Sequence, residues 1–590
     1  MIRRPVVGCV RVARYWFLMT AFISPGFCQQ NPIPVDEPPV EQSPVEQSPV
    51  EQPPVKAPDS AWQLALAASP PDRDRSLREI AVDEARAGRF DASIRAVSYL
   101  DDDRLRSVAL REAYMARAEG GGVQADFDSL IDLIQSTIEP DSWEEVGTGT
   151  GSIRGFDGGV FVDANGLMHD LPVRSIGERK DRRKLDAMAD RGNRDPKLSS
   201  KLRKVSLNRL EKQLQLKTAL GGEPDDTARY LAGLTRIRCV FVVPETGDLI
   251  LAGPAGEWNR DGAGRVVNTN TGRPVLHLDD LVVLLRNAYE ENGVFGCSIT
   301  PRTANLARAR AFLNQSAGKP LQPGERERWV RELRDCLGRQ DIEVYGIDPA
   351  CRVAKVLVEA DYHMKQIGLG LIEGPPEVTD YLSRLAEKFD GTLPPMDVLR
   401  WWFTLNYDAL ETNTNHDTFI LHGQGVRVLS ENELLTETGN RVHTGASDEL
   451  NRGFAADFTR HFSRISKIYP IYGELRNVFD LALVATLFRH EDLPARLGWH
   501  MTFFGPPLEA GWPAYPVPLA IAPREVATIM NHRMLDRRSF VAGVSGGVTV
   551  RSAQLLQQED FVKTNDQRQW SRHRERHMAP TIAEGPWWWD

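Results

Sequence analysis

A glycine-serine motif near residue 545 is the first place where this sequence could support catalysis. Gly543-Val544-Ser545-Gly546-Gly547 fits the G-x-S-x-G pattern of a nucleophile elbow, in which a strained turn between a strand and a helix exposes the serine hydroxyl. The context differs, because residues 548–550 continue as a strand and favour a hairpin or bulge at the two glycines. The histidines that follow lie in a polar tail, so Ser545 is kept only as a secondary catalytic candidate.

A second group of reactive side chains follows the apolar run 353–358. Glu359, Asp361, His363 and Lys365 alternate, so on a continuing strand they would share a face and could bind a divalent metal or transfer a proton. The interpretation that we favour ends the strand near Asp361, which then caps a helix from Tyr362. Glu359, Asp361 and His363 remain catalytic candidates, and we expect no bound metal and no cofactor.

Four cysteines follow the N-terminal segment, and their even number permits two disulfides. No pair has the CxxC spacing of a zinc or redox site. The pairing that we expect is Cys239 with Cys297 and Cys336 with Cys351, and buried free thiols are the alternative.

Two further motifs have simple structural explanations. His416 and His422 flank a predicted strand and would lie roughly 20 Å apart when extended, too far for one metal ion. Arg400-Trp401-Trp402-Phe403 could form an aromatic platform for a sugar or peptide, but large aromatic residues beside a strand usually belong to the core.

The N-terminal residues predict export. Basic residues precede a short apolar run at residues 15–23, which is about half the length of a membrane-spanning helix, so we interpret residues 1–28 as a signal peptide. A membrane anchor is the alternative. Residues 29–60 lack aromatic residues and contain a repeat of Pro-Val-Glu-Gln-Ser at residues 39–53, which predicts a disordered tether. The mature chain is therefore expected in the periplasm or outside the cell, without a transmembrane helix.

The rest of the chain divides into several predicted parts. Three alanine-rich helical stripes in residues 61–122 predict a small bundle of helical hairpins, resembling tetratricopeptide-like units. Residues 123–173 predict a helix and a β-hairpin with its turn at Asn165-Gly166. Residues 174–205 predict a basic linker before a helix that Ser206 begins.

The folded body is predicted to mix helices and strands. Residues 206–394 form its first half, with strands that include 341–347 and 352–359, and residues 395–550 form its second half. In the second half, Ser447 is expected to cap a helix, and residues 472–490 are expected to form a central core helix. Residues 551–590 are expected to be a charged tail that ends in three tryptophans, which dock on this protein, a partner or a membrane interface.

Several ordered blocks of the body resemble a domain-of-unknown-function family of exported planctomycete proteins. The resemblance covers roughly residues 206–550. Its blocks include Thr271-Gly272-Arg273-Pro274, Glu359-Ala360-Asp361-Tyr362 and Arg400-Trp401-Trp402-Phe403. The resemblance implies kinship and supplies no activity.

Together these patterns predict an α+β, multi-domain protein with 590 residues and a net charge of −9. The acidic balance gives no reason to expect a nucleic-acid partner. The expected function is that of an exported, non-catalytic structural or interaction protein with protein partners in the cell envelope. The alternative is an exported hydrolase or metal-assisted enzyme with its site near Glu359 and Asp361 or near Ser545. The small-molecule ligand, if there is one, is unknown.

Overall fold

A computed structural model describes most of the chain. The described residues are 60–119, 152–156, 159–163, 195–316, 324–389, 397–436, 438, 440–507, 512–535, 538–565 and 586–590. The predicted signal peptide, the tether before residue 60 and most of the basic linker lie outside these residues. The described residues from Ser60 onward belong to one compact unit of mixed helices and strands, so the fold is α+β, as predicted.

Four helices form the N-terminal part of this unit. They are α1 (Ser60–Ala67), α2 (Pro70–Arg86), α3 (Phe90–Ser98) and α4 (Asp103–Glu119). Leu77, Ala81 and Ala85 recur at helical spacing along α2 and are buried, because α3 and α4 pack against that face. Gly88 follows α2 with φ of +75°, a backbone conformation that favours glycine and lets the chain turn into α3.

The helical part packs on the body through buried polar contacts. The Arg106 guanidinium donates to Gln215 over 2.7 Å, and the Ser107 and Thr502 hydroxyls are 2.9 Å apart. Arg106 and Ser107 are almost fully buried. Because breaking such pairs would leave buried polar groups without partners, this contact fixes the helices on the body.

A β-hairpin is described in the region that precedes the body. Its strands are β1 (Ser152–Phe156) and β2 (Gly159–Asp163), which pair antiparallel. The helix and the turn at Asn165-Gly166 that the sequence predicts for this region lie outside the described residues.

Seven strands form the first large sheet. In spatial order they are β18 (Val562–Thr564), β11 (Ala409–Thr412), β12 (Thr418–His422), β4 (Cys239–Val243), β5 (Asp248–Ala255), β3 (Ser200–Ser206) and β19 (Trp588–Trp589). Strands β4 and β5 are joined by a turn at residues 244–247, as the sequence predicts. Strand β3 falls inside the predicted basic linker, which is therefore wrong from residue 200: Arg203 and Lys204 are buried there.

Eight strands form the second large sheet. Seven of them lie in the order β14 (Arg441–His443), β13 (Gly425–Leu435), β10 (Asp397–Asn406), β17 (Arg538–Arg551), β8 (Val294–Pro301), β9 (Arg339–Tyr345) and β15 (Glu525–Ala527). The eighth, β16 (Met530–Leu535), pairs with the first half of β17. A separate small hairpin consists of β6 (Trp258–Arg260) and β7 (Val266–Asn268).

The remaining helices fill the space around the sheets. They are α5 (Leu207–Ala219), α6 (Asp226–Arg229), α7 (Leu278–Glu290), α8 (Thr303–Ser316), α9 (Arg326–Leu337), α10 (Arg352–Gly368), α11 (Tyr381–Lys388), α12 (Glu449–Arg460), α13 (Phe462–Ile468), α14 (Pro470–His490), α15 (Leu493–Arg496) and α16 (Ser552–Leu556), with a 3-10 turn at Leu231–Gly233. Helix α14 is buried nearly all round, as predicted for residues 472–490. In the described parts of the chain, no helix combines the length and the apolar character needed to cross a bilayer.

The predicted division of the body into halves does not separate two domains. Both large sheets combine strands from before and after residue 395, and one hydrophobic core joins them. The predicted charged tail is wrong where it is described, since α16, β18 and β19 belong to the fold. Trp587 and Trp588 are buried, and Trp588 pairs with Val205, so the tryptophans dock on this protein.

Three local predictions are also wrong. Residues 352–359, expected as a strand, begin helix α10. The cap of α12 is Asp448 and not Ser447, because the Asp448 carboxylate accepts the N–H of Asn451. Gly546 and Gly547 form neither a hairpin nor a bulge, since β17 runs through them in unbroken register with β8 and β10.

Candidate functional site

Ser545 lies in the middle of β17 and is fully buried. The two glycines after it allow close approach of the neighbouring strands: a Cβ on Gly546 would lie 1.6 Å from the Trp401 carbonyl oxygen, and one on Gly547 would lie 1.9 Å from that of Cys297. The glycines thus serve strand packing. A nucleophile elbow would need a sharp turn into a helix at this point, and β17 continues to Arg551 instead.

The hydrogen bonds of Ser545 do not suit a nucleophile. Its hydroxyl donates to Glu433 Oε2 over 3.2 Å and accepts from the Arg441 guanidinium over 3.1 Å. A serine nucleophile needs a base that takes its proton, usually an imidazole. His443 contacts the other oxygen of Glu433, and the described hydrogen bonds of Ser545 include no histidine.

Ser545 borders a polar group on the outer face of the eight-stranded sheet. Strand alternation places Arg400, Glu431, Glu433 and His443 on this face, with Arg400 directly opposite both Glu431 and Ser545. Helices α10, α12 and α14 pack on the opposite, inner face. The group is therefore held by sheet register at the edge where β14 ends the sheet.

Glu431, Glu433 and His443 form the centre of this group, which we call the EEH cluster. His443 Nδ1 lies 3.3 Å from Glu431 Oε2 and 3.1 Å from Glu433 Oε1. One potential ligand atom from each of the three residues lies within 4.8 Å of the others. Both carboxylates are buried, whereas the His443 side chain is 62% exposed. One imidazole and two carboxylates are a donor set that divalent transition metals accept.

Two arginines and a backbone N–H hold the two carboxylates in place. Arg400 lies 2.8 Å from Glu431 Oε2, and Arg441 lies 2.8 Å from Glu433 Oε2. The Gly445 N–H donates to Glu431 Oε1 over 2.9 Å. Burial raises the pKa of Glu431, but the Gly445 N–H and Arg400 outweigh it and lower that pKa below its ordinary value, which favours the carboxylate.

The second predicted group lies on the inner face of the same sheet and does not come together as a site. Asp361 is in the middle of α10, so it is not a helix cap. It is fully buried and lies 2.5 Å from Lys365, one helical turn later. Burial raises the pKa of Asp361, against the opposing effect of Lys365. Because the pair packs beneath Gly546 and Gly547, it lies across the sheet from Ser545.

Glu359 and His363 point to other partners. Glu359 pairs with Arg265, and His363 Nδ1 lies 2.7 Å from the Tyr472 hydroxyl. Burial lowers the pKa of His363 to about 4, so the imidazole is neutral at pH 7. Glu359, Asp361 and His363 therefore do not converge on one point.

Glu359 is one end of a row of charges that ties the β6–β7 hairpin to three helices. Arg265 bridges Glu359 and Glu474, while Arg352 bridges Glu474 and Asp280. Burial raises the pKa of Asp280 to about 7, although Arg352 opposes the shift. The alternating signs fit a structural ion-pair network.

The four cysteines of the body are free thiols, so the expected pairs are not formed. Cys239 lies on the seven-stranded sheet and Cys297 on the eight-stranded sheet, in separate hydrophobic clusters. Cys336 is on α9, and the Cys351 sulfur accepts the N–H of Ala354 at the start of α10. Burial raises the pKa of Cys239 to about 12 and that of Cys351 to about 11, which disfavours thiolates.

The remaining sequence candidates have local partners. His416 contacts Glu491 over 2.9 Å, and His422 contacts Glu411 over 3.1 Å, so the two histidines have different partners. Trp401 and Phe403 are core residues. Trp402 faces outward, and the Arg400 guanidinium lies 4.4 Å from the centre of its ring. The four residues therefore do not form one aromatic platform, and only Arg400 and Trp402 stack on each other.

An exposed apolar segment precedes β15, the edge strand of the eight-stranded sheet that lies farthest from β14 and the EEH cluster. We call it the apolar ridge; its residues are Pro516, Pro518, Leu519, Ile521 and Pro523. Leu519 is 72% exposed and Ile521 is 76% exposed. The backbone is nevertheless fixed, because the N–H groups of Ala520 and Ala522 donate to the carbonyls of Ala350 and Pro349. A surface cavity of about 190 Å³ beside the ridge is lined by Val283, Arg286, Cys351 and Leu519.

Sequence reasoning missed both the EEH cluster and the apolar ridge. The Glu-x-Glu spacing of Glu431 and Glu433 would have placed them on one face of a strand. The predicted strand ended at Leu429, however, so the alternation beyond it was not seen. His443 enters the cluster only through the pairing of β14 with β13, which the sequence does not indicate.

Comparison with known proteins gives one family match. Residues 297–381 match a family described as "Protein of unknown function (DUF1598)". This segment runs from β8 to the start of α11 and includes Glu359, Asp361 and His363. The chain therefore contains a domain of unknown function, as the resemblance implied. No curated protein and no solved structure matches the chain.

Proposed function

We propose that the chain is an exported, non-catalytic interaction protein of the cell envelope, and that it contacts a protein partner through the apolar ridge. The observation that carries this proposal is the exposure of Leu519 and Ile521 on a segment whose backbone is fixed. Contiguous exposed apolar residues are uncommon on soluble proteins and often mark contact surfaces.

The geometry of the ridge supports binding in two ways. Leu519 and Ile521 are exposed, whereas Ala520 and Ala522 are more buried, so both large side chains can face one partner. Backbone hydrogen bonds and three prolines already restrict the segment, which lowers the entropy lost on binding. The next residues form β15, whose only described pairing is with β9, so a sheet edge adjoins the ridge.

The location in the envelope rests on the sequence. The basic and apolar N-terminal pattern supports export, and the proline-rich repeat after it would place the folded body away from its point of attachment or release. We therefore expect the protein partner to be a component of the cell envelope as well.

Site-specific photo-crosslinking in the native host tests the proposal. A photoreactive amino acid at position 519 should crosslink to one partner, and the double change Leu519→Glu and Ile521→Glu should abolish capture of that partner. Position 468, where Ile468 is 49% exposed on α13, is the control and should give no such product. Equal crosslinking at 468 and 519, or an unchanged yield in the double variant, would contradict the proposal.

A hydrolase or metal-assisted enzyme centred on Ser545 is the second candidate. It is favoured by the proximity of Ser545 to the EEH cluster. It ranks second because the Ser545 hydroxyl is buried and contacts a carboxylate and a guanidinium. Hydrolysis of an ester substrate that disappears in Ser545→Ala would reverse this order.

A further inference from the structure

We propose that the EEH cluster binds one divalent cation of the zinc type through His443 Nδ1, Glu433 Oε1 and Glu431 Oε2. The cluster lies on β13 and β14, at the edge of the sheet opposite to β15. The proposal is therefore independent of the apolar ridge, and it revises the expectation that no metal binds.

The distances from His443 Nδ1 to the two carboxylate oxygens suit coordination. Two ligand atoms that each lie about 2.1 Å from a metal ion, at angles between about 90° and 109°, are about 3.0 to 3.4 Å apart. His443 Nδ1 is 3.1 Å from Glu433 Oε1 and 3.3 Å from Glu431 Oε2. Small side-chain adjustments would thus suffice for binding.

A buried acceptor without a hydrogen bond is a second, independent observation that points to a ligand. Glu433 is fully buried, yet its Oε1 accepts no hydrogen bond. His443 Nδ1 lies 3.1 Å away and Arg400 Nε 3.7 Å away, and neither donates in hydrogen-bonding geometry. A buried carboxylate oxygen that accepts no hydrogen bond has lost its contact with water and gained nothing in return. A cation between Glu433 and His443 would compensate for this lost solvation.

The surroundings resemble those of metal ligands in two respects. Ser545 and Arg441 both donate to Glu433 Oε2, the oxygen that faces away from His443, and so they orient Oε1 toward the cluster. The exposed side chain of His443 gives solvent access. Outer groups of this kind fix ligand orientation and strengthen metal binding.

Charge limits the affinity and helps to select the metal. Arg400 and Arg441 neutralise the two carboxylates, so a cation enters a group whose formal charge is near zero. Hard cations such as Ca²⁺ and Mg²⁺ prefer all-oxygen sites, whereas Zn²⁺ and Co²⁺ accept an imidazole with carboxylates. We expect Zn²⁺ and Co²⁺ to bind with moderate affinity and Mg²⁺ to bind far more weakly.

Titration of the chelator-treated full chain with Co²⁺ and with Zn²⁺ tests the site. Visible absorption reports the ligand field of Co²⁺, and calorimetry gives the number of Zn²⁺ ions bound. His443→Ala should remove one equivalent, and the 62% exposure of that side chain makes unfolding of the variant unexpected. Ser545→Ala should weaken binding by about tenfold, as loss of an outer orienting group does. Circular dichroism verifies the fold of each variant.

His422→Ala is the matched control. His422 forms a histidine–glutamate pair with Glu411 on the other large sheet, without a second carboxylate in the described residues. This variant should keep the Co²⁺ spectrum and the Zn²⁺ stoichiometry of the unmodified chain. Binding that is identical in His443→Ala, or no binding by the unmodified chain at millimolar Zn²⁺, would overturn the proposal.

Discussion

Lys365 and Asp361 show how a buried ion pair can look like an active site in sequence. Both side chains have no exposed surface, and their charged atoms are 2.5 Å apart. Removal of one partner from a buried pair leaves an uncompensated charge, whereas replacement of both by apolar groups is often tolerated.

Lys365→Met alone should therefore lower the free energy of unfolding by about 3 to 5 kcal/mol. The double variant Lys365→Met with Asp361→Leu should recover most of this loss, because no buried charge remains. Urea denaturation of both single variants and the double variant gives the coupling energy. Additive losses would contradict this interpretation of the pair.

Residue types alone could not separate structural from functional polar groups in this chain. The sequence shows that Glu359, Asp361 and His363 alternate along the chain, but it does not show that a helix turns their side chains toward different partners. The EEH cluster had the opposite problem, since its residues lie in the second half of β13 and in β14, and the sequence predicts neither. The strand at Ser545 was predictable, because the apolar run after it indicates a strand.

At the scale of elements, α10 is the clearest failure of sequence patterns. Residues 353–358 include three valines and resemble a buried strand. Five of these six residues are apolar, so the short run does not show the helical period, and the charged residues that reveal it lie further along α10. The strands on either side of residues 244–247 were predictable because a turn separates two apolar runs.

The short strand β19 is an element whose contribution can be measured. Trp588 is 2% exposed, and its ring lies 4.7 Å from the guanidinium of Arg203, which also pairs with Asp590. Trp588→Ala should destabilise the protein by about 3 kcal/mol, because it opens a cavity beside a buried cation.

Thermal unfolding of Trp588→Ala, with Leu519→Ala as the control, checks this expectation. Leu519 is 72% exposed, so its removal should change stability by no more than about 0.5 kcal/mol. Equal melting temperatures for the two variants would mean that β19 adds little to the fold.

At the scale of the whole molecule, Glu211 joins distant parts of the chain. Its buried carboxylate accepts the N–H groups of Phe503 and Phe504 over 2.8 Å and also that of the Trp499 ring. Burial outweighs these hydrogen bonds and raises the pKa of Glu211 from 4.5 to about 6. The folded protein therefore holds this proton more tightly than the unfolded chain does.

The stability that Glu211 contributes should be complete below pH 4.5 and should be lost as the pH rises through about 6. The shift corresponds to about 2 kcal/mol. Unfolding free energies at pH 4.5 and 7 for the unmodified chain and for Glu211→Gln isolate this effect, since contributions from other groups cancel. A difference between the two proteins that does not change with pH would refute the assignment.

The parallel pairing of β10 with β17 has a consequence for the order of assembly. β10 ends at Asn406, and the residues of β17 that pair with it begin at Val544. A long stretch of polypeptide must therefore leave the ribosome before the centre of the eight-stranded sheet can close. Until β17 is available, the backbone N–H and C=O groups on one edge of β10 are unpaired and can pair with wrong strands. Chaperones that delay folding during synthesis should therefore raise the yield of native protein.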